Sequence, residues 1–346
     1  MSDIKSMTIE EVTELVAEAG EPAFRAGQLF SWMHEKRVRT YEEMTNLPKK
    51  LRGHLAASYP LTALQQVDSL ESARGDTQKY LFALPDGNVI ESVRMCHRHG
   101  ISVCISSQAG CRMGCRFCAS TIDGLARSLA ASEMLEQIYE IGRTTEGRIS
   151  HIDIMGSGEP LDNLGEVLRF IRLVTDPKGM NLSQRNITLS TCGLVPEIRR
   201  LAKERLAVTL AISLHAPDDA LRKGLMPGAA RYTIAGLLEA CDDYFRETGR
   251  RISYEYALIA GENDSPGHAE ALGRLLRGRG AHVNLIPVNA VEERSFHKSA
   301  GKVVHDFQII LEKYGINVTI RKEMGADIDG ACGQLRKRYL VRRKSV

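Results

Sequence analysis

The feature that most constrains the fold is a regular alternation of strand-like and helix-like segments from residue 102 onward. The strand-like segments are short, apolar and β-branched, and span residues 102–106, 151–155, 186–190, 208–213, 252–258, 283–287 and 318–321. Helix-length segments separate them, for example residues 132–143, 234–247 and 303–314. Repeated βα units favour a parallel sheet, but these are too few for a closed eightfold barrel. The sequence therefore predicts an α/β fold with a partial, open (β/α)6 barrel.

The region before the barrel has a different pattern. Thr8 and Glu11 form a capping box, an amphipathic run covers residues 22–34, and a third helix is expected after Pro48. Two runs of β-formers within residues 77–95 are joined by Asp86-Gly87, a strong hairpin signal. We expect a helical accessory domain (1–60), a β-hairpin linker region (61–96), the barrel (97–330) and a C-terminal segment (331–346).

Residues 111–118 read CRMGCRFC, which places Cys111, Cys115 and Cys118 on one short loop. An iron-sulfur cube normally takes four cysteine ligands, so three leave one iron open to a substrate or cofactor. An open iron indicates chemistry rather than a structural site.

Two other interpretations of this loop remain open. A structural zinc site would need a fourth ligand, from Cys104, His97 or His99. A thioredoxin-like dithiol would use Cys115 and Cys118, but it requires a strand-to-helix context and leaves Cys111 unexplained.

Composition and charge narrow the class of protein. The chain has 346 residues, 43% hydrophobic and 26% charged, which is ordinary for a soluble enzyme. No apolar run approaches the roughly 18 residues of a membrane helix and no signal segment is evident, so we expect a cytoplasmic protein. Eight cysteines, several of them clustered, favour metal or redox chemistry. The basic runs at 34–52 and 336–344 have two equally good interpretations: they bind RNA phosphates, or they are simply exposed to solvent.

Polar residues follow several of the predicted strands at their carboxyl ends. They are Gly158 and Glu159, Ser190, Ser213 with Leu214 and His215, and Asn289. Each taken alone fits a turn or a helix cap. Parallel barrels place their active sites at the carboxyl ends of the strands, so the shared position predicts one pocket that also receives the cysteine loop.

The cysteine spacing, with Phe117 before the third cysteine, resembles the signature of the radical S-adenosylmethionine (SAM) superfamily. Residues 155–163 (MGSGEPLDN), 327–335 (DIDGACGQL) and 21–29 (EPAFRAGQL) are similar to its RNA adenine methyltransferases, and the similarity covers essentially the whole chain. With Pro160 in its Gly-Glu-Pro-Leu turn, the chain resembles the carbon-2 branch, the ribosomal RNA large subunit methyltransferase N type. The carbon-8 sister branch resembles Gly-Glu-Ala at this turn. Ser157 and Cys192 are mild departures from the common Met and Ser.

The resemblance implies two cofactors and their ligands. Cys111, Cys115 and Cys118 would hold one [4Fe-4S] cluster. Two molecules of SAM would be used per turnover. The positions that match SAM contacts are Gly158, Glu159, Ser190, Ser213, Leu214, His215 and Asn289.

The resemblance also implies a route to an unreactive carbon. Carbon 2 of adenine has no nucleophilic lone pair, so a radical step is needed. Cys332 would take a methyl group from one SAM, and a 5'-deoxyadenosyl radical from a second SAM would activate that methyl group for addition to the base. Cys104 would then release the product through a transient Cys104–Cys332 disulfide, and Glu91 matches the carboxylate that removes the carbon-2 proton.

The partners follow from the same resemblance. They are an adenosine of the peptidyl-transferase region of 23S rRNA and the adenosine next to the anticodon of certain tRNAs, in a loop or a splayed-out nucleotide. We also expect a low-potential electron donor such as flavodoxin, a monomer, and no membrane partner. Two rival functions remain: an adenine carbon-8 methyltransferase and a non-catalytic, zinc-stabilised RNA-binding protein.

Overall fold

The structure is a computed structural model that describes residues 3–98, 100–289, 294–321, 325–328 and 334–344. In chain order, its strands are β1 Gln65–Glu71, β2 Thr77–Ala83, β3 Val89–His97, β4 Gly100–Cys104, β5 Gln108–Gly110, β6 Leu125–Ser128, β7 Ile149–Ile154, β8 Ile187–Thr191, β9 Thr209–Ser213, β10 Ser253–Leu258, β11 His282–Pro287 and β12 Asn317–Ile320. Its α-helices are α1 Ile9–Glu18, α2 Phe24–His34, α3 Lys49–Ser58, α4 Ala131–Thr144, α5 Leu164–Thr175, α6 Val195–Lys203, α7 Asp219–Leu225, α8 Ile234–Thr248, α9 Pro266–Leu276, α10 Gly301–Lys313 and α11 Gln334–Lys344.

Within the described residues, ten strands form one sheet in the order β1-β2-β3-β4-β7-β8-β9-β10-β11-β12. From β4 to β12 every neighbouring pair is parallel, as helical crossovers require. The order is linear, with β1 and β12 at the two edges, so the sheet does not close on itself. The predicted α/β fold with a partial barrel is confirmed.

The predicted hairpin is present but does not stand alone. β2 and β3 pair antiparallel, with Ala83 opposite Val89, and Gly87 takes a positive φ of 83° in the turn. β3 also pairs antiparallel with β4, so the hairpin continues the barrel sheet. β1, which the sequence did not predict, adds a third antiparallel strand at the edge. Its sequence QQVDSLE is too polar to show a strand pattern, because an edge strand buries little of either face.

The N-terminal helices form as predicted. Thr8 caps α1 by accepting a hydrogen bond from the backbone N–H of Glu11, while its own N–H donates to the Glu11 carboxylate at 2.7 Å. Leu29 and Phe30 of α2 and Leu55 of α3 are fully buried in the core that these helices share with the barrel.

Polar contacts fasten this helical region to α4. Lys5 Nζ lies 2.6 Å from Glu136 Oε1, and His34 Nδ1 lies 2.9 Å from the Tyr139 hydroxyl. Arg39 pairs with Glu140 on the next turn of α4. We call these three pairs the helical interface.

In the part of the chain that the structure describes, no helix combines the length and apolarity needed to cross a membrane.

Candidate active site

A cavity of about 960 Å³ lies inside the barrel and receives both the cysteine loop and the carboxyl ends of the strands. Most of the site residues predicted from the sequence line it: Cys104, Cys111, Cys115, Cys118, Gly158, Glu159, Ser190, Ser213, His215 and Asn289. Glu91 and Leu214 are buried but are not among the lining residues. Cys332 lies outside the described residues.

Backbone hydrogen bonds hold the cysteine loop at the mouth of the cavity. β5 and β6 pair on either side of the loop, and the Cys111 N–H donates to the Gly124 carbonyl at 2.9 Å. The Gly228 N–H donates to the Met113 carbonyl at 2.9 Å, which ties the loop to the segment after α7. A Cβ at Gly110, where φ is 83°, would lie 2.1 Å from the Gly124 oxygen, so only glycine allows this close approach.

The donor set of the three cavity-lining thiols fits an iron-sulfur cube with one open iron, since three thiolates are one short of a closed tetrahedral zinc site. Among the described residues, no three His, Cys, Asp or Glu side chains are placed to hold a single metal ion. A zinc ion requires its donors to converge on one point, whereas a cube gives each cysteine its own iron. Burial raises the pKa of Cys111 to about 12 and also raises that of Cys115. The protons on these thiols would leave when the metal binds, since the thiolate is the ligand.

The turn after β7 is shaped by two glycines and a buried carboxylate. A Cβ at Gly158, where φ is 113°, would lie 2.6 Å from the Gln108 Cβ, and a Cβ at Gly156 would lie 2.7 Å from a backbone oxygen. Glu159 accepts hydrogen bonds from the backbone N–H of Leu161 at 3.0 Å and of Cys192 at 2.7 Å. Burial raises the pKa of Glu159, and these bonds oppose the rise. The carboxylate therefore joins the turn after β7 to the end of β8.

Ser190 and Ser213 lie side by side at the ends of β8 and β9, with their hydroxyl oxygens 3.4 Å apart. Leu214 follows them in the chain and is fully buried, and its N–H donates to the Glu255 carbonyl at 3.1 Å. The two hydroxyls face the cavity, whereas Leu214 anchors the strand end from behind.

His215 is held in a left-handed backbone conformation, with φ 56°. Its Nδ1 accepts a hydrogen bond from the Ala257 N–H at 2.9 Å, so the proton of the neutral ring resides on Nε2. Burial lowers the pKa of His215 to about 3, which keeps the ring neutral at physiological pH. The ring packs edge-on against Phe117, with centroids 5.0 Å apart, and this links the end of β9 to the cysteine loop.

Glu91 is positioned on β3 by a buried ion pair. Lys79 Nζ lies 3.2 Å from Glu91 Oε1, and both side chains are almost fully buried. Because side chains alternate along a strand, Glu91 shares a face with Val93 and Met95, which line the cavity. Cys104 lies directly opposite Val93 in the register of β3 and β4.

Helix α11 covers the neighbouring part of this face. Leu335 packs with Leu81 and Val89, and Arg336 Nε donates to the Val89 carbonyl at 2.8 Å. The helix that directly follows the segment containing Cys332 thus lies on the Glu91 side of the sheet.

The sequence did not indicate two carboxyl groups that line the barrel interior, the half-buried Asp153 and the buried Glu255. Glu255 accepts hydrogen bonds from the Ser253 hydroxyl at 2.9 Å and from Asn284 Nδ2 at 2.7 Å. Burial raises the pKa of both carboxyl groups. The available signal was a single acidic residue at an inward position of an otherwise apolar strand, as in the Ile152-Asp153-Ile154 run.

Comparisons with known proteins agree with this geometry. Residues 105–271 match the radical SAM superfamily and residues 2–60 match the ribosomal RNA large subunit methyltransferase N-terminal domain. The chain is 54% identical over 337 residues to a probable dual-specificity RNA methyltransferase RlmN from Lachnoclostridium phytofermentans, covering 97% of this chain and 95% of the relative. It is 50% identical over 341 residues to the corresponding protein of Clostridium perfringens strain 13, covering 98% of both chains.

A solved structure extends this similarity to the whole fold. A radical SAM methyltransferase from Sphaerobacter thermophilus superposes with a TM-score of 0.93 at 43% sequence identity, covering 96% of this chain and 99% of that chain. At 96–98% coverage of this chain, the aligned regions include the N-terminal helices, the cysteine loop and the barrel. The chain therefore belongs to the RlmN family of dual-specificity RNA methyltransferases, within the radical SAM superfamily.

Proposed function

We propose that this protein methylates carbon 2 of adenine in RNA, at an adenosine of the peptidyl-transferase region of 23S rRNA and at the adenosine next to the anticodon of tRNA. The observation that carries the proposal is the shared cavity, which brings together the cysteine loop, the polar strand ends and Cys104. The family supplies the reaction class, and the names of the relatives state a dual specificity for RNA.

The cofactor sites follow from the lining residues. Cys111, Cys115 and Cys118 would hold one [4Fe-4S] cluster. The lining residues that would contact SAM are Gly158, Glu159, Ser190, Ser213, His215 and Asn289. Leu214, which the family resemblance also implies, is buried behind Ser213. When bound, the cluster and SAM supply the electron and the radical that activate the methyl group, with two SAM consumed per turnover. The neutral Nε2–H of His215 and the two serine hydroxyls offer donors without adding charge next to a cationic sulfonium.

Two cysteines act in the methyl transfer: Cys332 carries the methyl group and Cys104 releases the product. The thiolate of Cys332 would take the methyl carbon of the first SAM: an S–C bond forms at Cys332, the bond from that carbon to the sulfonium sulfur breaks, and S-adenosylhomocysteine leaves. After the methyl group on Cys332 gives a hydrogen atom to the 5'-deoxyadenosyl radical, its methylene radical would bond to carbon 2 of adenine. The radical adduct must then lose one electron, for which the cluster would be the acceptor, and the carbon-2 proton. The thiolate of Cys104 then attacks the sulfur of Cys332, so that an S–S bond forms and the S–CH₂ bond breaks. The electron pair passes to the carbon, which takes up a proton and becomes the product methyl group.

Glu91 would accept the proton that leaves carbon 2. Its position supports this role because Glu91 is on the cavity-facing side of β3, near Cys104 in the adjacent strand. Lys79 pairs with this buried carboxylate, with Nζ 3.2 Å from Oε1, and fixes its position on β3. An ionised carboxylate is required of a general base.

The remaining parts of the chain have supporting roles in the proposal. Residues 1–60 form an RNA-binding accessory domain, 61–96 a linking hairpin region, 97–330 the catalytic barrel and 331–346 the segment that carries Cys332 and the basic tail. The protein acts as a cytoplasmic monomer and receives electrons from a low-potential donor such as flavodoxin.

Product analysis tests the reaction. The protein is reconstituted anaerobically with iron and sulfide, then incubated with dithionite, SAM and unmodified 23S rRNA fragment or tRNA, and the digested nucleosides are identified by mass spectrometry. The expected product is 2-methyladenosine. A product of 8-methyladenosine would move the chain to the sister activity, and no methylated adenosine from either RNA would overturn the proposal.

Trapping tests the two cysteines. Cys104→Ala should leave a covalent adduct between the protein and RNA at Cys332, visible as a shifted band and as a modified peptide. Cys96→Ala is the matched control, because Cys96 lies on β3, which pairs with the strand of Cys104, but does not line the cavity. Normal turnover by Cys104→Ala would remove Cys104 from the mechanism.

A further inference from the structure

Arg222 on α7 is a buried cation beside the cysteine loop. Its side chain is only 1% exposed, and it is among the largest fully buried side chains of the protein. The guanidinium donates to the Ala229 carbonyl at 3.1 Å and to the Cys192 carbonyl. Among the described residues, its Nε has no hydrogen-bond partner.

No carboxylate in the described residues forms an ion pair with this guanidinium. Asp219, one turn earlier on the same helix, instead accepts a hydrogen bond from the Ile234 N–H at 2.7 Å. Both groups that Arg222 contacts are neutral carbonyls. A buried charge without a counterion is strongly unfavourable, so the arrangement calls for an anion.

The groups that interact electrostatically with Arg222 indicate where that anion belongs. Burial lowers the pKa of Arg222, and the thiols of Cys192 and Cys115 oppose this effect, followed by the Asp219 carboxylate, which forms no ion pair with the guanidinium. Cys192 and Cys111 share one apolar cluster, against which Cys115 packs. Because Arg222 donates to the Cys192 carbonyl, the guanidinium lies against the same group of packed side chains as Cys111 and Cys115, and it is itself shielded from water.

Two backbone hydrogen bonds fix this position. The Arg116 N–H, inside the cysteine loop, donates to the Leu225 carbonyl at the end of α7 at 2.9 Å. The Gly228 N–H, just beyond α7, donates to the Met113 carbonyl at 2.9 Å. Helix α7 and the cysteine loop are thus held in register, and the charge of Arg222 keeps a defined place beside the loop.

We propose that Arg222 is a positioning residue that serves as the built-in counterion of the iron-sulfur cluster and raises its reduction potential. This inference rests on the proposed function, because it requires the cluster at the three loop cysteines. A cube bound by three thiolates is anionic, and reduction adds a further negative charge. A fixed cation in a water-excluded site stabilises the reduced state more than the oxidised state.

Arg222 also has a structural role, which the test must separate from its charge. Its hydrogen bond to the Cys192 carbonyl continues through the Cys192 N–H to Glu159, in the turn after β7. Arg222→Lys keeps the charge but loses the forked geometry. Arg222→Gln keeps a donor and loses the charge. A purely structural role predicts similar effects of the two substitutions.

The test measures the reduction potential of the cluster by EPR-monitored redox titration of the reconstituted protein, without RNA. Arg222→Gln should shift the potential to a more negative value, whereas Arg222→Lys should stay close to wild type. Arg112→Gln is the matched control: Arg112 carries the same charge on the cysteine loop itself, but its side chain is exposed and paired with Asp162. Solvent screens an exposed charge, so the control should shift the potential much less.

A second readout compares thermal unfolding with and without the cluster. Both Arg222 variants should lower the Tm of the cluster-free protein because they lose hydrogen bonds. Reconstitution should raise the Tm of wild type and Arg222→Lys more than that of Arg222→Gln. If Arg222→Gln does not fold, Arg222→Lys decides the matter: a wild-type potential supports the counterion role, and a clearly more negative potential overturns it.

The outcomes separate this inference from the proposed function. An Arg222→Gln potential equal to wild type, equal shifts in the Gln and Lys variants, or an equal shift in Arg112→Gln would overturn the counterion role while leaving the methyltransferase proposal intact. A wild-type protein that takes up no iron and sulfide would overturn both. Cluster uptake by Arg222→Lys but not by Arg222→Gln would support the counterion role.

Discussion

The helical interface and the interior of the barrel both bury ionisable side chains, but they satisfy them in different ways. At the helical interface, Lys5 pairs directly with Glu136 and Arg39 with Glu140. Inside the barrel, Glu255 is held by a hydroxyl and an amide, which are neutral donors, and it borders a large cavity.

The difference distinguishes structure from function. Lys5 has its counterion and a backbone carbonyl, Thr62 at 2.7 Å, within hydrogen-bond distance, so this group is complete within the protein. Removal from water raises the pKa of Asp153 and of Glu255. Both side chains line the cavity. Buried charges that are complete within the fold hold elements together, whereas those that face a cavity are available to a ligand.

The largest expected effect comes from breaking the pair at the helical interface. Lys5→Met leaves Glu136 buried without its closest cation, so the free energy of unfolding should fall by roughly 3–5 kcal/mol. The double variant Lys5→Met/Glu136→Leu should recover most of this loss, because it removes both charges. Chemical denaturation of the cluster-free protein measures both values.

The control for this prediction is Lys302→Met, whose partner Asp306 is on the exposed surface of α10. An exposed pair contributes about 0–1 kcal/mol, so this variant should be nearly neutral. If the double variant is as unstable as Lys5→Met alone, the loss does not come from an unpaired Glu136, and the interpretation of Lys5–Glu136 as a complete ion pair is wrong.

A substitution in the turn that borders the cavity ranks second. Gly158→Ala places a Cβ 2.6 Å from Gln108 and forces a positive φ on alanine, so we expect a loss of roughly 2–3 kcal/mol in unfolding free energy. Gly165→Ala, in the exposed first turn of α5 with open space around it, should instead be neutral or stabilising by up to about 1 kcal/mol. Similar effects of the two substitutions would show that the turn adapts more readily than its packing indicates.

The pH dependence of stability compares the two regions directly. Burial lowers the pKa of both His34, at the helical interface, and His215, in the cavity, from 6.5 to about 3. Below about pH 6.5 these two histidines take up protons in the unfolded chain but stay neutral in the folded protein. Each histidine should therefore lower the free energy of unfolding by about 1.4 kcal/mol per pH unit as the pH falls from about 6 towards 3.

Substituting one histidine isolates its share of this slope. Urea unfolding of the cluster-free protein at several pH values should give a shallower slope for His34→Gln than for wild type. The difference should be about 1.4 kcal/mol per pH unit in the steep region. An unchanged slope would mean that His34 is protonated in the folded protein.

The smallest effect on stability is expected for a substitution of Glu255, inside the barrel. This substitution should instead reduce RNA methylation. Glu255→Gln keeps the shape and most hydrogen bonds of a carboxyl group whose burial already disfavours its charge, so unfolding free energy should change by less than about 1 kcal/mol. RNA methylation should fall about tenfold or more, because the cavity lining loses a carboxyl group. A large loss of stability with normal methylation would reverse the assignment of the two regions.

Much of the fold is visible in the sequence because its signals are local or periodic. The capping box of Thr8, the Asp86-Gly87 turn and the alternating strand and helix segments each involve residues close in the chain. Since the carboxyl ends of parallel strands share one edge of the sheet, the same pattern places Ser190 and Ser213 beside each other. Strand β1 was missed because its polar sequence acquires a partner only at the edge of the finished sheet.

The charged residues show what the sequence could not determine. Lys5, Lys79 and Arg222 each have one polar and one apolar or aromatic neighbour in the chain, as many exposed residues do, yet all three are buried. Lys223 directly follows Arg222 and is exposed, so no local pattern separates them. Whether a charged side chain is buried depends on which distant element packs over it, and only the tertiary structure supplies that element. The sequence by itself determined the order of the elements and the chemistry of the loop; the packed fold decided which charges face a partner, the cavity or solvent.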